Sequence, residues 1–332
     1  MERPLLIDWS FTSHCNLSCP FCRGYAASEL STSQALRLAA EMVALGPSRV
    51  IVEGGEPFLR PDLPEVVRVL NDGGIATTIF TNGTAVRLDW LARLDRALVD
   101  VAVSVDADEP SLYQTLRPGA DQREVWRTVL QLRDAGLLSG VVITASRLNA
   151  ADVLRVIERA RSCGAPSATV IPIKPSPHYE ELRLSPSEKA DLYRRIATYR
   201  RETGYTVFVD EPFFEACFGS GGVDPSGPVS AAVEGCIFGR YLFVAADGRV
   251  APCTFADIWV GSAADAPLAS LWQAIVDDPR LAAARDLRRR GGSCGVCPDA
   301  IRCGGCRVVA AAATSGDLCA PDPNCPRNWS GG

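Results

Sequence analysis

Three cysteines within eight residues, Cys15, Cys19 and Cys22, are spaced Cys-x3-Cys-x2-Cys in the stretch from His14 to Tyr25. Three thiolates from one short loop can hold three irons of a cubic [4Fe–4S] cluster, leaving the fourth iron without a protein ligand. Soft thiolates suit such clusters, and an open iron is a place where a small molecule can bind. The competing reading is zinc, but structural zinc takes four ligands, and the only nearby fourth is His14. Disulfides fit poorly with thirteen cysteines and no export signal.

Composition narrows the setting. The N-terminus lacks a basic region, a long apolar core and a small-residue cleavage site. No run approaches the ~20 apolar residues of a membrane span. The expectation is a soluble, cytoplasmic protein with no membrane partner, where many cysteines point to metal or redox chemistry. A net charge of −5, with Arg288, Arg289 and Arg290 as the only tight basic run, argues against nucleic acid. With two histidines, His14 and His178, histidine-based chemistry has few candidates. The 332 residues, 47% of them hydrophobic, suffice for about two domains with a full core.

Strand-like runs alternate with amphipathic helical stretches through the first half. Strands are expected over 5–11, 49–52, 75–80, 98–105, 141–145 and 168–173. Ser31 and Gln34 form a capping box for a helix bearing Leu38, Met42 and Leu45. Val153, Val156, Ile157 and Ala160 mark another helix, closed near Gly164. Six such units imply an α/β fold with a parallel sheet and right-handed crossovers. Polar or glycine-rich residues follow the strands: Gly54-Gly55-Glu56-Pro57, Thr81-Asn82-Gly83 and Asp106. In such folds ligands bind at the C-terminal strand ends, and the cysteine loop follows the first strand onto that same rim.

At the cysteine loop and at Gly54-Gly55-Glu56-Pro57 the chain resembles the radical S-adenosylmethionine (radical SAM) superfamily. The resemblance implies a partial (βα)6 barrel and S-adenosylmethionine (SAM) as cofactor. It implies that Cys15, Cys19 and Cys22 hold a [4Fe–4S] cluster whose open iron chelates SAM. An electron, drawn from a donor such as flavodoxin or ferredoxin, then splits the sulfonium. The 5′-deoxyadenosyl radical released abstracts hydrogen from substrate. Backbone carbonyls of Gly54, Gly55 and Pro57, with Glu56 nearby, would accept from the SAM ammonium. Ser104 and Asp106 resemble ribose-contacting positions, and Asn149 and Ile171 sites near ribose and adenine. The alternative for each is an ordinary polar or packed strand-end residue. Phe21 would pack beside adenine or in the core. His178 and Tyr179 read as a solvated linker with substrate contact as the alternative.

A second cysteine-rich region follows. Ser185 and Glu188 form another capping box, with Pro186 at the first position of a helix reaching about Thr203. Residues 211–235 are rich in Gly, Pro and Ser and mark a boundary. Asp247-Gly248 between apolar runs signals a β-hairpin. The spacing Cys236-x11-Gly248-x4-Cys253, then Cys294-x2-Cys297-x5-Cys303-x2-Cys306 and Cys325, resembles the SPASM extension of radical SAM enzymes. The division expected is a partial barrel over 1–184, a helical linker region over 185–235 and a small Cys-rich α+β SPASM domain over 236–332. The resemblance implies two auxiliary [4Fe–4S] clusters. Cys294, Cys297, Cys303 and Cys325 match one; Cys236, Cys253 and Cys306 match three ligands of the other. Either Cys217 reaches round as its fourth ligand or that cluster has an open iron. The alternative for Cys294, Cys297, Cys303 and Cys306 is a zinc knuckle. Cys163 reads as a core residue, whereas Cys217 and Cys319 are candidate catalytic hydrogen donors.

The outcome depends on where the substrate radical sends or gets its electron. Transfer to an auxiliary cluster gives oxidation; hydrogen from a thiol gives epimerisation. With the first strand starting by Leu5 and the sequence ending seven residues after Cys325, no added leader-binding domain is expected. The first expectation is therefore a small-molecule substrate: an aminoglycoside, aminocyclitol or nucleoside intermediate of antibiotic biosynthesis, dehydrogenated or epimerised. The alternative is crosslinking or epimerisation of a ribosomal peptide precursor. A third is a non-catalytic zinc scaffold.

Overall fold

The computed structural model describes residues 3–24, 28–176, 178–219 and 235–328. Tyr25, which ends the cysteine stretch, and residues 220–234, most of the expected boundary segment, lie outside them. In chain order the first half runs β1 (Ile7–Thr12), α1 (Thr32–Leu45), β2 (Arg49–Gly54), α2 (Leu63–Asp72), β3 (Ala76–Thr81), α3 (Leu88–Leu91), β4 (Val99–Ser104), α4 (Pro110–Leu116), α5 (Gln122–Asp134), β5 (Leu138–Ala145), α6 (Val153–Ser162) and β6 (Ala168–Pro172). Then follow α7 (Pro186–Thr203), β7 (Val207–Val209), α8 (Phe214–Cys217), β8 (Leu242–Val244), β9 (Arg249–Ala251), β10 (Gly261–Ser262), α9 (Leu268–Asp277), α10 (Pro279–Arg285), α11 (Gly292–Gly295), α12 (Ala300–Cys303) and α13 (Arg307–Ala313). The six expected βα units are present, each strand within a few residues of its expected bounds.

Two compact units can be distinguished. The first comprises residues 1–104, 117–139 and 239–278. In it β1 to β4 lie side by side and parallel, Ile7 opposite Val50 and Arg49 opposite Ala76. Both faces are covered, so Trp9, Phe11, Val50, Val52, Ile79 and Val101 are all buried. The capping box at Ser31 and Gln34 opens α1, and Gly46, left-handed at φ 69°, closes it. Ala35, Leu38, Ala39, Met42 and Leu45 form its buried face, as the helical period requires. The hairpin expected at Asp247-Gly248 joins β8 to β9, Gly248 taking φ 88°. The hairpin, expected within the stretch 236–332, belongs to this first unit. Strand β8 pairs parallel with β1, Ile7 opposite Leu242, so the hairpin extends the first unit's sheet.

The second unit comprises 105–116, 140–238 and 279–332. Strands β5, β6 and β7 are parallel, Val141 opposite Ala168 and Ala168 opposite Val207. The region 185–235 is thus not wholly helical: after the capping box, Pro186 and Gly204 frame α7, β7 adds a strand. Six of the seven cysteines beyond the hairpin lie in this unit, Cys294 on α11, Cys303 on α12 and Cys306 at the N-cap of α13 among them. No helix among the described residues is long and apolar enough to cross a membrane.

Candidate active site

The cysteine loop leaves β1 and is gathered by one carboxylate. Glu29 Oε1 accepts from Thr12 Oγ1 (2.7 Å), Ser13 N (2.6 Å), Ser13 Oγ (2.9 Å) and His14 N (3.1 Å). Burial would raise the Glu29 pKa, but the hydrogen bonds from Thr12, Ser13 and His14 outweigh it and hold it below the usual range. Arg60 adds a second brace. It donates to Phe11 O at 2.9 Å, lies 4.3 Å over the Phe11 ring and forks onto Asp62 at 2.8 and 2.9 Å. At the loop's far end Arg23 donates to Thr254 O and lies over the Phe255 ring.

The glycine motif after β2 abuts this loop. Gly55 N donates to Thr12 O and Glu56 N to His14 O, each at 2.7 Å. A Cβ on Gly54 would lie 2.3 Å from Thr12 O, and one on Gly55 2.0 Å from His14 O. The two glycines therefore admit the backbone of the cysteine loop. Glu56 is fully buried, with both carboxylate oxygens engaged: Oε1 accepts from Thr81 Oγ1 (2.8 Å) and Phe58 N (3.2 Å), Oε2 from Asn82 N (2.8 Å). Burial still pushes its pKa up despite those donors. Glu56 thus anchors the turn after β3. Pro57 is buried at the start of the 3-10 turn Pro57–Leu59.

Asn82, absent from the candidate residues, links these pieces. Its Nδ2 donates to Asn16 Oδ1 at 3.0 Å and lies 3.7 Å from Cys15 Sγ; Leu17 N lies 3.4 Å from the same sulfur. The signal was available in Thr81-Asn82-Gly83, read only as a strand end. Cys15 and Cys22 are exposed and Cys19 half-buried, none of them in a disulfide. Phe21 is buried with the Arg117 guanidinium 6.0 Å from its ring centre, and Ser104 is half-buried at the end of β4.

In the second unit Asp106 is buried and accepts from Thr144 N at 2.7 Å. The Asn149 amide donates to Asp106 O and Thr144 O, and accepts from Ser146 N and Ser146 Oγ, all within 2.9 Å. Its visible work is to close the turn after β5. Ile171 is half-buried in β6; His178 is exposed, but Tyr179 is buried at 4% and so is not solvated linker.

The unit's cysteines fall into neighbouring groups. Cys217, on α8, hydrogen-bonds the Cys325 thiol, which that bond lowers to about 6; Cys303 is also near Cys217. Cys217 therefore stands with members of the Cys294, Cys297, Cys303 and Cys325 set. Arg327 donates to Cys297 Sγ at 3.2 Å, and Gly305 N to Cys303 Sγ at 3.3 Å. Cys236 N donates to Cys303 O at 2.9 Å. Cys306 is buried, its thiol pushed up by burial and pulled back by Lys174. Cys319 and Cys163 are half-buried. Cys253 belongs to the first unit, buried after β9.

Among the described residues no three His, Cys, Asp or Glu side chains are gathered around one metal position. The donor chemistry nevertheless fits iron–sulfur clusters: no described cysteine is in a disulfide, and Cys15, Cys297 and Cys303 already face N–H groups. The loop is also oxygen-poor in metal donors, unlike a calcium or magnesium site.

Residues 9–160 match the Radical SAM superfamily. The chain is 28% identical to the AdoMet-dependent heme synthase of Methanosarcina barkeri, covering 97% of this chain and 96% of that protein. It is 25% identical to the PqqA peptide cyclase of Granulibacter bethesdensis, covering 98% and 88%. The fold is similar to that of Streptococcus suis SuiB bound to S-adenosylmethionine, with TM-score 0.75, 15% identity, and 98% and 78% of the two chains covered. That likeness agrees with an α/β fold of the partial-barrel type. The braced tri-cysteine loop and the glycine motif packed on it lie within residues 9–160, a radical SAM superfamily domain, whose cofactors are SAM and a [4Fe–4S] cluster.

Proposed function

We propose that the chain modifies a peptide precursor by radical SAM chemistry, through crosslinking or epimerisation. The observation that carries this reading is its near full-length similarity to a peptide cyclase. Sequence reasoning placed a carbohydrate-like small molecule first; the relatives favour the peptide alternative. A porphyrin substrate is the second reading, favoured by the similarity to a heme synthase over nearly all of both chains.

When bound, SAM and the cluster held by Cys15, Cys19 and Cys22 supply the 5′-deoxyadenosyl radical. The chain's own residues position. Glu29 and Arg60 fix the cysteine loop to β1, and Gly54 and Gly55 seat the β2 turn against it. Glu56 and Asn82 carry that order to the turn after β3. Ser104, Asp106, Asn149, Ile171 and Phe21 remain candidates for the nucleoside of SAM. In the second unit Cys294, Cys297, Cys303 and Cys325 are candidates for one auxiliary cluster, and Cys236 and Cys306 for another. The position of Cys217 beside Cys325 disfavours it as fourth ligand of the latter. For an epimerisation, Cys217 and Cys319 are the thiols from which hydrogen would come. The electron would come from a donor of the flavodoxin or ferredoxin kind.

The test offers the anaerobically reduced enzyme SAM with precursor peptides, with porphyrin precursors of heme, or with aminoglycoside and nucleoside intermediates. Peptide-dependent 5′-deoxyadenosine above the substrate-free rate supports the proposal. Stimulation by porphyrins or sugars alone overturns it.

A further inference from the structure

Two buried guanidinium groups in the second unit lack the partners that burial demands. Arg290 is 7% exposed, and its Nε and Nη1 have no hydrogen-bond partner among the described residues. Arg307 is fully buried. Its Nε donates to Gly305 O at 3.0 Å, and its Nη1 to Leu318 O (3.0 Å) and Ala320 O (2.7 Å), but Nη2 has no partner. A buried N–H left unmade costs about 1–3 kcal/mol, more for a charged group. Backbone bracing explains two nitrogens of Arg307 and none of the unpartnered ones.

Both groups lie near the cysteines. A Cβ on Gly304 would be 3.8 Å from both Arg290 Nη2 and Cys236 Cβ. A Cβ on Gly305 would be 2.5 Å from Arg307 Nη2 and 3.6 Å from Cys294 Sγ. Arg290 also feels the charges of Arg307, Cys236, Cys319 and Cys294. Asp322, next to Arg307, accepts from Cys306 N (2.8 Å) and Asn324 N (2.9 Å). Neutral thiols do not compensate two neighbouring cations. An iron–sulfur cluster does, because its thiolates and sulfides give it net negative charge and many sulfur acceptors.

We propose that Arg290 and Arg307 are positioning residues for an auxiliary iron–sulfur cluster, donating N–H groups to its sulfurs and raising its reduction potential. This rests on the auxiliary-cluster reading above. A fixed cation stabilises the more negative, reduced cluster, so its removal lowers the potential.

The test uses the full chain carrying Cys15→Ala, Cys19→Ala and Cys22→Ala, which silences the first cluster. After anaerobic reconstitution, iron and sulfide are counted and the remaining clusters titrated by electron paramagnetic resonance. Absence of iron in this background defeats the auxiliary-cluster reading itself. With iron present, Arg290→Gln is expected to lower the midpoint by about 59 mV, a tenfold change for one electron, while Arg290→Lys stays near the parent. If Arg290→Gln fails to load iron, restored iron and midpoint in Arg290→Lys support the proposal. An unchanged midpoint at unchanged iron content, or loss of iron in both variants, overturns it.

Discussion

The carboxylate of Glu56 accepts the backbone N–H of Asn82 at 2.8 Å, tying the turn after β2 to the turn after β3. The Asn82 amide then reaches Asn16 and the Cys15 sulfur. Glu56 thus reaches the cluster loop through Asn82. Replacing Glu56 by Gln turns an acceptor of three donors into a group with N–H of its own. Glu56→Gln is expected to lower SAM cleavage at least tenfold, about 1.4 kcal/mol in the barrier, with weaker iron loading. Wild-type iron content and wild-type 5′-deoxyadenosine formation would contradict this.

Gly55 has no room for a side chain. Its Cβ would sit 2.0 Å from the His14 carbonyl, which is backbone and cannot rotate away. Gly55→Ala is expected to cost about 1–3 kcal/mol and to displace the cysteine loop. Denaturant unfolding together with iron per chain checks it; unchanged values on both would refute the packing account.

Buried charge gives a pH dependence in the second unit. Glu211 accepts from Lys174 at 3.3 Å and from Lys189 and Tyr193 at 3.1 Å each. Burial would raise its pKa, but Lys174 and Lys189 hold it down to about 2, against 4.5 when unfolded. A folded-state pKa below the unfolded one means the stabilisation is present above pH 4.5. It is lost as pH falls from there towards 2. Glu211→Gln is expected to destabilise by about 3–5 kcal/mol at neutral pH, by stranding buried cations. It should also flatten the stability profile between those limits. A loss under about 1 kcal/mol, with the acid slope intact, would contradict the network's role.

How much of this was legible beforehand depends on the kind of signal. Local rules worked where one segment decides its own structure. The capping boxes at Ser31 and Ser185, the apolar period of α6 and the Asp247-Gly248 turn all form as expected. Pairing over long separations was not legible. Nothing in Leu242–Val244 shows that it will lie beside Ile7–Trp9. The site shows the same limit. Cysteine spacing announced the loop, whereas Glu29, Asn82 and Arg60 act through contacts made only after folding.

The spare cysteines separate by environment. Cys163 caps α6, whereas Cys217 bonds the Cys325 thiol. Cys163→Ala is expected to leave iron content and SAM cleavage within twofold of wild type. Cys217→Ala should leave SAM cleavage but alter the spectrum of the remaining clusters in protein lacking Cys15, Cys19 and Cys22. An unaltered spectrum would show that Cys217 is remote from any cluster.

The central claim is that Cys15, Cys19 and Cys22 hold the cluster that opens SAM. It is tested most directly by 5′-deoxyadenosine released from SAM by anaerobically reconstituted, dithionite-reduced protein. The expected result is release by the wild type and none above background from Cys15→Ala, Cys19→Ala or Cys22→Ala. Undiminished release from any of the three variants would contradict it.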